Sequence, residues 1–438
     1  MYTIGRIPSG RLLTLSDDDR RRHLYVIGKS GTGKSTLLYN FMREDLAAGR
    51  GFALLDPHGD LAVAIADSTP PSRTNDILYL DPADPDYCAG FNVLANVAPD
   101  LRPLVAAQTV SAFKNIWGDS WGPRLEYILT NALRLLLDSS GTTLLGLPRL
   151  LSDKHYRTAL LCGCSDPVIR AFWLDEFESY DERFRKEAIA PIQNKVGALL
   201  SPPAIRNIVG QGKSTFSVRG IMDGGKVLIV NLSKGRLGEA PAHFLGALFA
   251  SAFAQAAESR ADTPERERRD FTLIADEFQN FATESFATVL SEARKWRLSL
   301  VLGHQFLGQV PDSLRQAVIG NVGTLIAFRV GAEDAPLIAA ELGRNNPAEL
   351  TDTPNFHAWT KLIEDGVPAN ATYVATVSPE AGNGRFDAVR ARSRARHARP
   401  RHLVEERIGA FFRDGSRGGK HRGDHPEASR REGRSLWN

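Results

Sequence analysis

The first strongly apolar run of the chain, HLYVIG at 23–28, reads as a short buried strand. GKSGTGKS follows, and then a helical stretch, TLLYNFMREDLAAG, which ends at Gly49, a usual helix terminator. Further apolar strands are predicted at 52–55, running into Asp56, and at 77–80, running into Asp81. Strand, helix, strand in this order predicts a parallel α/β sheet. From about 100 to 212 the apolar period becomes helical: Leu125, Ile128, Leu129, Ala132 and Leu136 mark one face, and Pro148, Pro167 and Pro202-Pro203 punctuate further helices. An all-helical domain inserted into the sheet domain is expected there. Strands resume at 227–231, 271–275, 298–302 and 324–330, with helices over 240–259, 284–297 and from about 333. A hairpin over 356–363 and 371–377 closes the pattern.

At 438 residues the chain has room for two or three domains. Its 42% hydrophobic and 24% charged content is that of a soluble globular protein. No apolar run is long enough to cross a bilayer, and the first 22 residues are too polar for a signal peptide. Cys88, Cys162 and Cys164 are too few and odd in number for a disulfide framework, which points to a reducing cytosol. Cys162-Gly163-Cys164 lacks a second ligand pair at metal spacing, so no metal is expected there. The net charge of +3 is uneven: residues 385–438 hold 15 Lys/Arg against 7 Asp/Glu, and the rest is mildly acidic. This Arg- and Gly-rich tail is expected to be disordered, with helical spacing only at 402–412. It points either to a polyanionic partner or to a solvated segment with incidental charge.

The segment Gly28-Lys29-Ser30-Gly31-Thr32-Gly33-Lys34-Ser35 matches G-x-x-x-x-G-K-S/T in full, between a strand and a helix. Its glycines let backbone N–H groups turn inward around a phosphate, and the helix offers its N-terminus, including Thr36, to the same anion. Lys34 would reach the β- and γ-phosphates of ATP, and the Ser35 hydroxyl would ligate Mg2+. Gly212-Lys213-Ser214 repeats only the end of the motif, has Asn207 where the first glycine belongs, and is rejected as a second phosphate loop.

FTLIADEF at 271–278 is a buried strand ending in two acids, and it is expected to lie beside the phosphate loop. Asp276 is assigned to Mg2+ and Glu277 to polarising the attacking water. The next strand ends in His304 and Gln305. Gln305 is placed to sense the γ-phosphate or orient water, whereas His304 is read as either functional or a strand cap. Asp56, in Asp56-Pro57-His58-Gly59-Asp60, either joins the Mg2+ and water network or forms a turn.

These segments resemble the HerA/FtsK superfamily of DNA-pumping ATPases, most closely the coupling-protein ATPases of type IV secretion and conjugation, the TraD/TraG-like group. The carriers are LYVIGKSGTGKSTLL, LLDPHGDL, GFNVL, WGPRLEYILTNAL, IMDGGKVLIVNLSKGRLG, ADEFQNFATESFATVLSEARKWRLSLVLGHQ and NVGTLIAFRVGAEDA, spread over about 20–380. The resemblance implies a RecA-like P-loop NTPase fold: motor parts at 1–99 and 213–384, an inserted all-α domain at 100–212, and the tail at 385–438. It implies DNA as partner, a hexameric ring with nucleotide between subunits, and an arginine acting in trans: Arg294 first, then Arg329 and Arg297. It further implies secretion-channel or relaxosome-type partners and a cytoplasmic protein recruited to the inner face of the membrane. Coupling proteins usually carry N-terminal membrane helices and HerA-like members a β-barrel; with 22 residues before the first predicted strand, a soluble member or an incomplete chain is expected. Three functions remain open: a DNA-translocating motor, a helicase-like repair or packaging ATPase, and an ATP-gated adaptor.

Overall fold

The computed structural model describes residues 1–283, 286–364 and 366–417. They form two compact units, residues 1–81 with 217–396, and residues 82–216 with the chain from His397.

The first unit is built on an eleven-stranded sheet. In chain order its strands are β1 (Tyr2–Arg6), β2 (Leu12–Leu15), β3 (Leu24–Ile27), β4 (Gly51–Asp56), β5 (Ile77–Leu80) and β6 (Val227–Asn231). Then come β7 (Phe271–Ala275), β8 (Leu298–His304), β9 (Thr324–Ala327), β10 (His357–Lys361) and β11 (Thr372–Thr376). The spatial order is β2-β1-β11-β10-β9-β3-β8-β7-β4-β6-β5. From β9 to β5 all neighbours are parallel, and β10, β11, β1 and β2 extend the sheet antiparallel. The parallel strands are buried at every position, which is why they read as unbroken apolar runs.

The structure departs from the sequence reading in several places. The first 22 residues, read only as polar, contain β1 and β2; the strands are short and interrupted by glycine and arginine, so their alternation is faint. The acid strand β7 is separated from the phosphate-loop strand β3 by β8, although its acids do lie beside the loop, where Ser35 bonds Asp276. The helix expected over 284–297 is Phe286–Glu292 followed by a 3-10 turn at Ala293–Trp296; residues 284 and 285 lie outside the described residues. Of the basic segment expected to be disordered, Phe386–His397 instead forms a helix, the helical spacing read at 402–412 lies within helix Arg401–Arg417, and 418–438 lie outside the described residues. Its Arg-rich composition hides a few well-placed anchors. In the first unit Val389 is buried, and the Ser393 hydroxyl donates to the Tyr79 carbonyl and accepts the Tyr79 N–H, covering the edge strand β5. In the second unit Val404 and Ile408 are buried.

The second unit is helical from Arg102 to Val209, and Pro123–Asp138 buries the face read from the sequence. Asp153, Asp166 and Asp181 cap three of its helices by accepting backbone N–H groups. Asn207 lies inside helix Pro203–Val209, and Gly212 and Ser214 bond Asn92, so the repeated Gly-Lys-Ser is structural. All three cysteines are free. Among the described residues no helix is long and apolar enough to cross a membrane.

The N-terminal strands brace the helix that follows the phosphate loop, α1 (Lys34–Ala47). Tyr2 stacks on Phe41 at 4.3 Å and donates its hydroxyl to Asp45 Oδ2 at 2.6 Å. Arg20 and Arg50 meet Asp45 Oδ1 at 2.7 and 2.6 Å, and both Arg20 and Asp45 are fully buried. Removing one partner leaves the other charge buried and unpaired. Asp45→Ala is therefore expected to cost about 3–5 kcal/mol. Urea unfolding measures this; a loss below about 1 kcal/mol would place the pair among surface-type ion pairs.

Candidate active site

The candidate site lies at the C-terminal edge of the parallel strands, where open α/β sheets place their ligand crevice. The loop after β3 is pinned at its start: Gly28 N–H donates to the His304 carbonyl at 3.1 Å and Lys29 N–H to the Arg329 carbonyl at 2.8 Å. Gly31 and Gly33 adopt φ of +75° and +119°, which other residues rarely accept. Gly33 precedes α1 without any side-chain cap, so the first N–H groups of the helix face outward for an anion. Ser30 and Ser35 are exposed at this mouth, while Thr32 is buried and donates its hydroxyl to the Lys29 carbonyl at 2.7 Å. The Lys34 ammonium is folded back onto the Gly28 and Lys29 carbonyls at 2.6 and 3.2 Å. Burial lowers its pKa, and the charges of Glu277 and Asp276 oppose that shift. The cradle thus holds a partly desolvated cation, for which a phosphate is the natural counter-charge.

β7 delivers Asp276 and Glu277, both buried. Ser35 Oγ donates to Asp276 Oδ2 at 3.0 Å, joining the loop to the acid strand across β8. Burial, and then the charges of Asp56 and Glu277, push the Asp276 carboxyl up to about 6; the Ser35 hydroxyl and Lys34 pull the other way. A carboxylate so surrounded suits a divalent cation, which would restore its ionised form. Among the described residues no group of three or more His, Cys, Asp or Glu converges as a metal cage.

Glu277 has φ +50° and ψ +52°, a left-handed conformation that is strained for a non-glycine residue. Its carboxylate accepts Gln305 Nε2 at 2.6 Å and Gln279 Nε2 at 2.7 Å. Asn280 Nδ2 donates to the Glu277 carbonyl at 2.7 Å, and Lys234 Nζ holds Asn280 Oδ1 at 2.7 Å. Gln279, Asn280 and Lys234 were not singled out in the sequence; the only signal was their place beside the acids or in the loop after β6.

Asp56 is fully buried, and both its oxygens are committed. Oδ1 accepts the His58 N–H at 2.9 Å and Oδ2 the Ala62 N–H at 2.8 Å. This is the turn geometry, holding the start of helix Asp60–Asp67, although its charge still reaches Asp276. His304 Nδ1 bonds the Tyr25 hydroxyl at 2.6 Å; burial, and then Lys34, push its pKa down to about 3, so the ring is neutral.

The three arginines fall at different places. The Arg329 carbonyl supports the loop of its own chain, and its guanidinium donates to Asn355 at 2.8 Å. Arg294 and Arg297 instead precede β8, at the opposite edge of the sheet, in a cleft of about 510 Å³ that Arg21 and Arg22 also line. Arg21 is engaged by Asp270 and Asp18, and Arg297 by Asp270 and Glu265. Among the described residues no carboxylate pairs with Arg22 or Arg294.

Gly303, a glycine inside β8, is a further site residue that sequence reasoning missed. A Cβ there would lie 2.8 Å from Asp276 Oδ1 and 3.3 Å from Leu38 Cδ1. Gly303→Ala should therefore push Asp276 aside while the sheet still folds. The expected outcome is at least a tenfold loss, about 1.4 kcal/mol, in the Mg2+-dependent part of nucleotide affinity. Titration of a fluorescent nucleotide with and without Mg2+ checks this; an unchanged Mg2+ dependence would free Asp276 from that packing constraint.

A sequence comparison with curated proteins returns no match. Among solved structures the chain is similar to the bacterial conjugative coupling protein TrwBdeltaN70, with TM-score 0.63, 18% identity, and coverage of 88% of this chain and 89% of that one. Plasmid coupling protein TrwB in complex with ADP and Mg2+ gives TM-score 0.62, 17% identity, and coverage of 87% and 92%. VirB4 of Thermoanaerobacter pseudethanolicus gives TM-score 0.57, 13% identity, and coverage of 86% and 96%. At these identities the likeness establishes the fold, a RecA-like P-loop architecture with a helical unit. The type IV secretion-system coupling protein DNA-binding domain model matches residues 6–358, most of the chain, and the protein belongs to that family.

Proposed function

We propose that this protein is an ATP-hydrolysing motor that moves DNA, acting as a coupling-protein-like ATPase of conjugative, type IV secretion transfer. The observation that carries the reading is the Ser35–Asp276 bond, which brings an intact phosphate loop and the acid pair to one edge of the sheet. Family membership supplies the DNA. TrwB, similar in fold, has been solved with ADP and Mg2+ and with a non-hydrolysable ATP analogue; we assign the same ligands here.

In this reading residues 28–36 cradle the phosphates, and Lys34 leaves the loop carbonyls to meet the β- and γ-phosphates. Ser35 and Asp276 hold Mg2+, which neutralises phosphate charge when bound. Glu277 accepts the proton of the attacking water, and Gln305 holds Glu277 from the neighbouring strand. Asp56 fixes the turn and adds negative charge behind Asp276. Arg392 and Arg396 of the basic helix are exposed and, among the described residues, bond the neutral Asn75, leaving positive charge for a DNA backbone.

Two measurements test this. Double-stranded and single-stranded DNA should each be tried for stimulation of ATP turnover, together with displacement of a triplex-forming strand. ATP turnover that DNA leaves unchanged, without displacement, would identify a nucleotide-gated adaptor instead. Lys34→Ala should abolish turnover, and Glu277→Gln should bind Mg·ATP but hydrolyse it very slowly.

The sheet geometry also favours a ring. β8 has seven residues and spans roughly 23 Å at about 3.3 Å per residue, so Arg294, before its start, cannot reach Gln305, after its end. If an arginine of that cleft serves a nucleotide site, the site is a neighbour's. Mixing Arg294→Ala with Glu277→Gln subunits should restore activity, because some interfaces then carry an intact Arg and an intact Glu. A trans arginine contributes roughly 10³–10⁵ in rate, so a minority of repaired interfaces is measurable. No recovery despite demonstrated subunit exchange would remove Arg294, and Arg22 is the next residue to test.

A further inference from the structure

The hold on Glu277 is incomplete in one informative respect. A carboxylate only accepts hydrogen bonds, so Gln279 turns its amide nitrogen toward Glu277 Oε2, at 2.7 Å, which leaves its amide oxygen to find another donor. That oxygen, Gln279 Oε1, is buried and has no hydrogen-bond partner among the described residues. A buried acceptor without a donor costs free energy, and folded proteins keep few of them. The backbone that carries this side chain is fixed. It sits in the Phe278–Asn280 turn, which the left-handed Glu277 initiates and which Asn280 and Lys234 tie down.

The donor this site receives during hydrolysis is water. An attacking water aims a lone pair at phosphorus when both of its O–H groups are held. Glu277 can hold one, because each carboxylate oxygen keeps a lone pair beyond the amide it already accepts. We propose that Gln279 Oε1 holds the other, making Gln279 a catalytic residue that orients the attacking water. This rests on the ATP-hydrolysing reading above.

In the step itself the water oxygen bonds the γ-phosphorus. The bond from that phosphorus to the bridging oxygen breaks, and its electron pair leaves on ADP. Glu277 takes the proton whose O–H it held. The O–H held by Gln279 stays on the new phosphate. No oxidant, reductant or other reactant is required.

A purely structural role for Gln279 makes a different forecast, and the full chain can separate the two. If Gln279 only braces the turn, its loss lowers the melting temperature while the plateau kcat of the pH–rate profile stays at the wild-type level. If Gln279 orients water, the plateau itself falls. Gln279→Met keeps the length of the side chain without the amide, and Gln279→Ala repeats the measurement with a smaller one.

The expected result for both is a plateau kcat lower by on the order of 10²-fold. Affinity for a non-hydrolysable ATP analogue should stay within about twofold, since no ground-state phosphate contact is lost. The melting temperature of Gln279→Met should not fall, because the unpartnered oxygen has gone. A wild-type plateau, or a fall in kcat matched by loss of analogue binding, overturns the proposal. If the wild type fails to hydrolyse ATP, or Glu277→Gln hydrolyses normally, the fault lies in the hydrolytic reading itself. If those two behave as expected and Gln279→Met keeps its plateau, only the role of Gln279 is wrong.

Discussion

The structure of the site turns on the burial of negative charge at one edge of the sheet. Asp56, Asp276 and Glu277 are all nearly inaccessible to water, and Lys34 is the cation whose charge reaches both Asp276 and Glu277. Like charges in a poorly solvated place repel strongly unless each is given its own partners. The fold distributes those partners by type. Asp56 receives backbone N–H groups from the chain that follows it, Glu277 receives two side-chain amides, and Asp276 receives the Ser35 hydroxyl and the Glu277 N–H. At Asp276 burial, and then the charges of Asp56 and Glu277, outweigh those partners, and its carboxyl rises to about 6. The place of weakest compensation is therefore the place where an added cation gains most.

This arrangement also explains the supporting packing. A strand between the phosphate loop and the acids must pass close to Asp276, and a glycine at 303 makes the passage possible. The same strand ends in a neutral histidine whose carbonyl receives Gly28 and whose ring is held by Tyr25. Loop, acid strand and spacer strand are thus joined by short hydrogen bonds. Behind the loop, α1 is fastened at its far end to the N-terminal strands through Asp45. The phosphate-binding helix is consequently clamped at both ends rather than hung from the loop alone.

The parts legible in the sequence are those whose chemistry is local. The phosphate loop, the acids at the end of an apolar strand, and the seven parallel strands each announce themselves within a few consecutive residues. The turn alternative for Asp56 was visible for the same reason, since its partners lie two and six residues ahead. What escaped depends on contacts between distant segments. Gly303 matters only because Asp276 lies across from it. Gln279 matters only because Glu277 takes a left-handed backbone that redirects the turn. The strand order escaped because a buried apolar run does not say which neighbour it has. The helix at Phe386–His397 escaped because its apolar anchors are few among arginines, so composition pointed to disorder where specific contacts impose order, whereas the helical spacing at 402–412 was legible.

The left-handed backbone at Glu277 sets protein stability against activity. The conformation suits glycine, or asparagine, better than glutamate. Relieving it would stabilise the fold by about 1 kcal/mol while removing the carboxylate that the proposed chemistry needs. Under selection for stability alone, position 277 would drift away from glutamate. Glycine or asparagine at this position would therefore be expected to give a chain that folds at least as well and binds nucleotide without the proposed turnover.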